Sequence, residues 1–152
     1  MCSFLFTNAE VNDFDYTNHY MKFRGPDATS SINVNEYTFA HNILSITGNF
    51  TPQPFVDHDD EIVCVYNGQI YNYDDYGDYS SDGECIIPTY KKFGERAFVT
   101  LDGEFAIVLA DFKNNLLHLV TDPFATKPLW YGIDGDKIGV ASYESAVKSL
   151  GF

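Results

Sequence analysis

The sequence predicts an α+β domain in which antiparallel sheet is the main element. Hydrophobic residues make up 45% of its 152 positions and aromatic residues 16%, so the chain does not have the composition of a disordered protein. Strand-like runs recur along the chain, and several are joined by turns of hairpin length. Helical spacing of apolar residues is confined to short segments. We therefore expect one domain built mostly from antiparallel strands.

Strands are expected where apolar, β-branched and aromatic residues form short runs. The first should cover residues 2 to 7, with Cys2 at its start. The later runs span Tyr37 to His41, Ile43 to Thr47, Ile62 to Tyr66, Gly103 to Asp111, Leu116 to Thr121, Leu129 to Ile133 and Lys137 to Ala141. Lys113-Asn114-Asn115 and Asp134-Gly135-Asp136 supply the residues that tight hairpin turns require.

Four short helical segments are predicted from apolar spacing. The first carries apolar residues near helical spacing, namely Tyr16, Tyr20 and Phe23. It must end before the Arg24 to Asp27 loop, because this loop contains Gly and Pro. Either Ser81 or Asp82 is suited to cap the second helix. The remaining segments span Gly83 to Phe93, Glu95 to Leu101 and Ser142 to Leu150.

The charge pattern excludes several classes of partner. Nine basic residues oppose 22 acidic ones, and the formal net charge of -13 repels nucleic acid and anionic membranes. The sequence has no signal peptide and no run of membrane-spanning length. Three widely spaced cysteines suggest neither a disulfide framework nor a metal site, and they suit a reducing compartment. We therefore expect a soluble cytoplasmic protein without a cofactor.

Two acidic stretches, Asp57 to Glu61 and Asp74 to Glu84, invite a calcium interpretation. No register combines the oxygen ligands of an EF-hand with its glycine and its final glutamate. We interpret both stretches as solvated loops. We therefore predict no metal ligands.

Cys2 carries the sharpest chemical signal in the sequence. An initiator methionine is normally removed before a small residue, which would leave Cys2 with both a thiol and a free α-amine. An α-amine has a pKa of about 7.7 to 8, so it can accept the thiol proton near neutral pH. This is the chemistry of an N-terminal nucleophile, although a cysteine at position two is by itself also compatible with an ordinary residue.

An ordered series of motifs extends over nearly the whole chain. After Cys2-Ser3 it comprises Arg24 to Asp27, Ala40-His41 with Leu44-Ser45-Ile46, Tyr66 to Asn72, Ser81 to Glu84, Leu101 to Ala106 and Asp122 to Tyr131. The series resembles the glutaminase domain of asparagine synthetases and of class II glutamine amidotransferases. Its most specific segment is Tyr66 to Asn72, which contains the family's Asn-Gly-Glu-Ile-Tyr-Asn with one difference.

The resemblance implies a four-layer αββα sandwich of the N-terminal nucleophile hydrolase type, with two antiparallel sheets between helices. It implies one amidotransferase domain over residues 1–152, with no synthetase domain. The implied activity is attack of the cysteine on the side-chain amide of glutamine. This reaction releases ammonia for a separate acceptor enzyme and leaves a thioester for water to hydrolyse.

The resemblance also implies roles for individual residues. Cys2 is the nucleophile, and the side-chain amide of Asn67 and the backbone N–H of Gly68 stabilise the oxyanion. The substrate-binding residues are Asp82, which holds the α-ammonium group, and Ile43, Leu44, Ile46 and Gln69. Alternative interpretations are that Asn67-Gly68 forms an ordinary turn and that Asp82 caps a helix.

Three residues depart from the family pattern. Ile43 stands where the family has an arginine that binds the substrate carboxylate, Gln69 replaces a glutamate, and Ala125 replaces a glycine. Glutamine would then bind weakly or through another cation such as Arg24, or a different amide would be the substrate. The alternative function is a catalytically silent binding or regulatory module that keeps the fold.

The remaining histidine and cysteine signals are interpreted as structural. His41 lies among apolar strand residues and is expected to be hydrogen-bonded in the core. Cys64 and Cys85 are expected to be small core residues. The sequence contains no Ser-Gly-Gly phosphate loop, which the ATP-using domain of asparagine synthetases carries. The chain is therefore expected to be either a stand-alone domain or a piece that works with a separate ammonia-accepting synthetase. A homodimer is also compatible with the sequence.

Overall fold

Two antiparallel sheets form the centre of the computed structural model, which describes residues 1–46 and 48–152. In these ranges the first sheet has five strands, in the order β2-β3-β1-β9-β8, and the second has four, in the order β4-β5-β6-β7. The first sheet comprises β1 (Ser3–Thr7), β2 (Ala28–Val34), β3 (Tyr37–Ile43), β8 (Trp130–Asp134) and β9 (Lys137–Ala141). The second comprises β4 (Phe55–Asp57), β5 (Ile62–Ile70), β6 (Gly103–Asp111) and β7 (Leu116–Thr121).

Short helices lie outside the two sheets. The α-helices are α1 (Phe14–Asn18), α2 (Ile86–Phe93), α3 (Ala97–Thr100) and α4 (Glu144–Ser149). Single turns of 3-10 helix occur at Met21–Phe23, Tyr73–Asp75, Asp82–Cys85 and Gly94–Arg96. None of the helices in the described ranges has the length and apolar character that crossing a bilayer requires.

Three apolar layers separate four structural layers. One core lies between the sheets and contains alternate residues of β1 and β5, including Phe4, Phe6, Val63 and Val65. A second core packs the other face of β5 and β6 against α2 and α3, and a third packs β1 and β3 against α1 and α4. Because β5 and β6 are covered on both faces, almost all of their residues are buried. The arrangement is the αββα sandwich that the resemblance implies.

The two predicted hairpin turns are present. Asn115, between β6 and β7, has a φ of 54°, and Gly135, between β8 and β9, has a φ of 59°. Asn and Gly adopt this left-handed conformation more readily than other residues. The bounds of β6, β7 and β9 agree with the prediction residue for residue.

The prediction differs from the structure at β3. A separate strand over Ile43 to Thr47 was expected, but β3 continues to Ile43 and residues 44–46 have no regular structure. Thr47 lies outside the described residues. The strands β2 and β4 were not predicted, because β2 alternates half-buried and exposed residues and β4 has only three residues.

The first helical segment has the opposite orientation to the one its apolar spacing indicates. Tyr16, Tyr20 and Phe23 are exposed, whereas Thr17, Asn18 and Met21 are buried. The polar residues face inward here because they have hydrogen-bonding partners in the core, as described below. Tertiary contacts therefore override the apolar periodicity of this segment.

The acidic stretch at Asp57 to Glu61 is more than a solvated loop. The Lys91 ammonium group lies 2.7 Å from carboxylate oxygens of both Asp57 and Asp60, and Lys113 lies 3.1 Å from Asp60. Hydrogen bonding to Lys91 lowers the pKa of both carboxyl groups. The Lys91 pairs connect the end of β4 and the β4–β5 loop to α2, and the Lys113 pair connects that loop to the β6–β7 turn. Each pair is partly exposed and contributes little by itself.

A buried polar network fixes the ends of several elements around Asn42. The side-chain amides of Asn18 and Asn42 form a reciprocal pair with N–O distances of 3.0 and 2.8 Å. Asn42 also donates to Ser3 Oγ at 3.0 Å and accepts from Thr29 Oγ1 at 2.7 Å. Ser3 in turn donates to the carbonyl of Met21. The network connects β1, β2, β3 and α1 directly beside Cys2.

Asn42→Ala is expected to lower the free energy of unfolding by about 3 kcal/mol, because Asn18, Ser3 and Thr29 would each lose a buried partner. The matched control is Asn33→Ala, since Asn33 is exposed and bonds only Thr38 in the described structure. The control is expected to change stability by less than about 0.5 kcal/mol. Urea denaturation of both variants measures the difference, and equal effects would contradict this account of the network.

Candidate active site

A cavity of about 140 Å³ opens at one end of the sandwich. Antiparallel pairing puts the start of β1 beside the end of β3, and the end of β5 beside the start of β6. The motifs at these strand ends therefore meet although they are far apart in the chain. The cavity lining includes every residue that the resemblance assigns to the site: Cys2, Ile43, Leu44, Ile46, Asn67, Gly68, Gln69 and Asp82.

Cys2 precedes β1 and is half-buried in the cavity wall. The backbone N–H of Leu44 donates to its sulfur over 3.4 Å. Burial raises the pKa of the Cys2 thiol, and the Leu44 hydrogen bond only partly offsets this effect. A thiol in this environment is protonated near neutral pH, so a nucleophilic role requires a base.

The loop that holds Leu44 is fixed by the Arg24 to Asp27 motif. The Asp27 carboxylate accepts the N–H of Ser45 at 2.8 Å. Gly25 packs directly against β3, and a Cβ added there would lie 2.1 Å from the carbonyl oxygen of Asn42. A glycine is therefore required for the motif to approach β3 and hold this side of the cavity in place.

Asn67 has the most unusual hydrogen-bonding state in the site. Its side chain is buried, and neither its Nδ2 nor its Oδ1 has a hydrogen-bonding partner in the described part of the chain. Buried amides are rarely left unpaired, because desolvation without a partner costs about 1 to 3 kcal/mol. An unpaired amide in a cavity wall is suited to bind a ligand.

Gly68 lies where the backbones of β5 and β6 approach each other closely. A Cβ added to it would lie 2.1 Å from the carbonyl oxygen of Glu104 and 2.7 Å from the Cα of Phe105. Asn67 and Gly68 are paired with Ala106 and Phe105 inside the strand ladder. The interpretation of Asn67-Gly68 as an ordinary turn is therefore wrong.

The Asp82 carboxylate is held in the cavity by two donors. Its Oδ2 accepts the Tyr66 hydroxyl and the N–H of Ile70, the latter at 2.7 Å. Ser81 is the N-cap residue of the following 3-10 turn, and the Glu84 carboxylate accepts the Ser81 N–H at 2.9 Å, as in a capping box. The interpretation of Asp82 as that cap is therefore wrong. Its carboxylate instead accepts hydrogen bonds from Tyr66 and Ile70 in the cavity lining.

Tyr66 lines the cavity and His41 contacts Tyr66, and neither was predicted as part of the site. Burial and the neighbouring Asp82 charge raise the pKa of Tyr66. The Nε2 of His41 lies 3.1 Å from the Tyr66 carbonyl oxygen and joins β3 to β5. Burial lowers the pKa of His41 to about 4, so the ring is neutral at pH 7. It is hydrogen-bonded in the core, as expected.

Lys127 and Glu104 also line the cavity and form an ion pair of 3.1 Å. Sequence reasoning missed this pair. Both residues lie within the motifs named above, and this was the only signal in the sequence. Because 23 positions separate the two residues, the sequence does not show that they pair. Lys127 follows a loop held by the Asp122 carboxylate, which accepts from the N–H groups of Phe105 and Thr126 at 3.0 Å. In this loop Ala125, in place of the family glycine, has a φ of 49°.

The described residues contain no group of three or more His, Cys, Asp or Glu side chains arranged to hold a metal ion. Cys64 and Cys85 are fully buried, and burial raises the pKa of both thiols. They lie in the core between β5 and α2, which agrees with their interpretation as small core residues. The cavity lining contains a thiol, an amide and charged side chains.

Comparison with known proteins gives a consistent assignment. A family model described as a glutamine amidotransferase domain matches residues 1–151. Asparagine synthetase [glutamine-hydrolyzing] 1 of Saccharomyces cerevisiae is 32% identical over 139 residues, covering 86% of this chain and 24% of the yeast protein. Amidase chyE of Penicillium rubens is 33% identical over 150 residues, covering 90% of this chain and 22% of the amidase. The chain thus spans less than a quarter of the length of either relative.

A solved structure supports the fold independently of sequence. Glutamine phosphoribosylpyrophosphate amidotransferase from B. subtilis superposes with a TM-score of 0.74 at 17% identity, covering 99% of this chain and 44% of that chain. At this identity the match shows the fold alone. It confirms the αββα sandwich with its two antiparallel sheets.

His41 should make the stability depend on pH between about 4 and 6.5. Its pKa falls from 6.5 to about 4 on folding, so over this range the unfolded chain binds a proton that the folded chain does not. Stability should therefore fall by about 3 kcal/mol as the pH is lowered from 7 to 4. His41→Gln keeps a neutral side-chain donor, and this part of the loss should be absent. Urea denaturation at several pH values tests this, and identical pH profiles would refute it.

Asn67→Ala is expected to leave the free energy of unfolding unchanged or to raise it, because it removes a buried amide that has no partner in the described structure. This outcome would be the opposite of that expected for Asn42→Ala, which is also a buried asparagine. Thermal and urea denaturation of the two variants give the comparison. A loss of more than about 1 kcal/mol for Asn67→Ala would mean that the amide is hydrogen-bonded in the folded chain.

Proposed function

The chain belongs to the glutamine amidotransferase domain family, and on that premise we propose that it hydrolyses the side-chain amide of glutamine or a related amide, with Cys2 as the nucleophile. One observation carries the proposal. The sulfur of Cys2 lines the same small cavity as the buried, unpaired amide of Asn67. A nucleophile and an unpaired hydrogen-bond donor in one cavity are the groups that acyl transfer requires.

In the proposed reaction, removal of Met1 frees the α-amine of Cys2. The amine takes the thiol proton, and the thiolate attacks the amide carbonyl carbon to form a tetrahedral intermediate. The proton then passes to the amide nitrogen, the C–N bond breaks and ammonia leaves. Water attacks the resulting thioester, which releases the carboxylic acid and restores the thiol. The raised pKa of the buried thiol makes such a base necessary.

Two donors stabilise the negative oxygen of the intermediate in this mechanism. They are the Nδ2 of Asn67 and the backbone N–H of Gly68. At Gly68 the backbones of β5 and β6 pack closely, which holds the strand in position. The Asn67 amide has no partner in the described structure, so it can donate without first breaking another hydrogen bond. Such preorganised donors are effective because they need no reorganisation during the reaction.

Substrate binding is assigned to the rest of the cavity. The Asp82 carboxylate is the proposed partner of a substrate ammonium group, since Tyr66 and Ile70 already hold it in position. Ile43, Leu44 and Ile46 contribute the opposite wall, and Gln69 lies beside the oxyanion donors. Ile43 is apolar and only 8% exposed, so its side chain cannot form an ion pair with a substrate carboxylate.

The acceptor of the ammonia is part of the proposal. The curated relatives are much longer, and the chain spans 20% to 25% of their length. We propose that residues 1–152 act as one glutaminase domain, without a cofactor of its own, and that a separate synthetase uses the ammonia. A homodimer remains compatible with this proposal.

A silent binding or regulatory module is the second candidate function. The apolar Ile43 at the position of the family's arginine favours it, because the carboxylate of free glutamine has no partner there. Both candidates share the cavity. They differ in whether Cys2 forms a covalent intermediate.

The function is tested by measuring ammonia release from glutamine and several other amides with protein whose loss of Met1 has been verified by mass spectrometry. We expect turnover that Cys2→Ala abolishes. Asn67→Ala should lower kcat by about 10² to 10³, because one oxyanion donor is lost, while KM changes little. Trapping of a thioester on Cys2 in the mass spectrum would identify the nucleophile.

The silent module gives the opposite results in the same assays. Ammonia release would then stay at the level of Cys2→Ala for every amide, and no thioester would form. That outcome would sink the hydrolase proposal. If Asn67→Ala lowers the free energy of unfolding as well as the activity, the amide has a structural role.

A further inference from the structure

The strand β4 lies at an outer edge of the second sheet. In the described ranges Phe55–Asp57 pairs only with β5, and Val56 at its centre is 36% exposed. An edge strand presents N–H and C=O groups without partners on its outer side, so it can pair with a strand from another chain. The side of β4 that faces away from β5 is therefore available for docking.

Two open grooves flank β4, one on each face. The first, the inter-sheet groove, has a volume of about 520 Å³ and lies between β2 and β4. The second, the helix-side groove, has a volume of about 900 Å³ and lies between β4, residues 78–80 and the start of α2. Val56 and Asp57 line both grooves, which therefore meet at β4. Because successive side chains of a strand point to opposite faces, a strand added beside β4 would send alternate side chains into the two grooves.

The inter-sheet groove is an open end of the core between the two sheets. Val56 is paired with Val63, which belongs to that core. Ile32, Val34 and Phe112 also line the groove, and they are partly buried residues that pack against the same core. The other lining residues are polar or charged, namely Asn33, Asn35, Asp57, His58 and Glu61. An apolar side chain placed here would cover apolar surface that is now in contact with water, so a partner residue in this groove is expected to be apolar.

The helix-side groove has acidic side chains on its lining. Of its four acidic residues, Asp57 and Glu84 are already bonded within the domain. Asp59 and Asp78 are exposed and form no ion pair among the described residues. In the described lining His58 is the only side chain that can carry a positive charge. Carboxylates without a cationic partner attract cations, so partner residues in this groove are expected to be basic.

We propose that β4 binds an extended segment of another protein in which apolar and basic residues alternate. The apolar side chains enter the inter-sheet groove. The basic side chains enter the helix-side groove, where Phe55 and Pro88 contact their aliphatic stems. A second copy of this chain does not fit, because it carries the same formal charge of -13 and is repelled.

This docking site is separate from the candidate active site. The strand β4 pairs with Ile62 to Cys64, at the start of β5, whereas Asn67 and Gly68 lie near the other end of β5. None of the residues assigned to the nucleophile, the oxyanion donors or substrate binding lines either groove. The proposal therefore does not depend on the proposed function.

The test is an NMR titration of the isotope-labelled full chain with three synthetic hexapeptides, each acetylated and amidated, at near-physiological salt. Lys-Val-Lys-Val-Lys-Val has the proposed alternation. Lys-Lys-Lys-Val-Val-Val has the same composition and charge without the alternation, and Lys-Ser-Lys-Ser-Lys-Ser has no apolar side chains. We expect the alternating Lys-Val peptide to bind with a Kd below about 1 mM and to shift the amide signals of residues 32–35 and 55–59. The other two peptides should bind about 10-fold more weakly.

Asp59→Asn combined with Asp78→Asn should weaken binding of the alternating peptide by about 3- to 10-fold, because two exposed ion pairs are lost. The matched control is Asp74→Asn combined with Asp75→Asn. It makes the same change of net charge on exposed residues outside both grooves, and it should change the affinity by less than about 2-fold.

Four outcomes would overturn the proposal. They are equal affinities for the three peptides, equal effects of the two double variants, signal shifts confined to residues outside the grooves, and the absence of saturable binding. The first two would show that a general attraction between lysines and an acidic chain accounts for the binding. The comparison of the peptides needs no substitution, so misfolding of a variant does not affect it. Ammonia release remains a separate measurement, since both double variants keep every proposed active-site residue.

Discussion

The buried hydrogen-bond network around Asn42 is the constraint on which the candidate site depends. Cys2 is held by its neighbour Ser3, which bonds Asn42, and Leu44 follows Asn42 two positions later. The network thus fixes Cys2, the proposed nucleophile, and the Leu44 N–H that donates to its sulfur from one point in the core. It also explains why the first helix buries Asn18 and exposes Tyr16. Buried polar groups must be paired, and in this helix that requirement outweighs the burial of apolar surface.

The cavity differs from the Asn42 network in leaving polar groups unpaired. The network around Asn42 satisfies its members, whereas the amide of Asn67 and the Nε of Arg24 are buried without partners in the described structure. Asn67 lines the cavity together with Cys2, and Arg24 contacts Met1, the residue that precedes Cys2. Such groups destabilise a folded chain, and they persist where a ligand completes their hydrogen bonds. Three of the four buried side-chain atoms without a partner in the described structure belong to these two residues, and the fourth, Thr89 Oγ1, lies on α2.

Charge in the site follows from the same distribution. Ile43 stands where the family motif predicts a cation, yet two other cations contact Met1. Arg24 comes from a motif in the first quarter of the chain and Lys127 from one near its end. The loops that carry them are held by Gly25 and Asp122, residues that do not touch the proposed substrate. Fold and electrostatics are thus set by the same motifs.

The sequence by itself determined the fold class, the bounds of β6, β7 and β9, and eight of the residues that line the cavity, because periodicity, turn residues and ordered motifs are local signals. It misjudged Ile43 to Thr47 and the face of the first helix, where long-range hydrogen bonds override local propensity. Only the tertiary structure revealed the Lys127–Glu104 pair, the support from Tyr66 and His41, and the two cations around Met1. These contacts join residues that are far apart in the chain, and no pattern along a single sequence specifies which distant strand ends become neighbours.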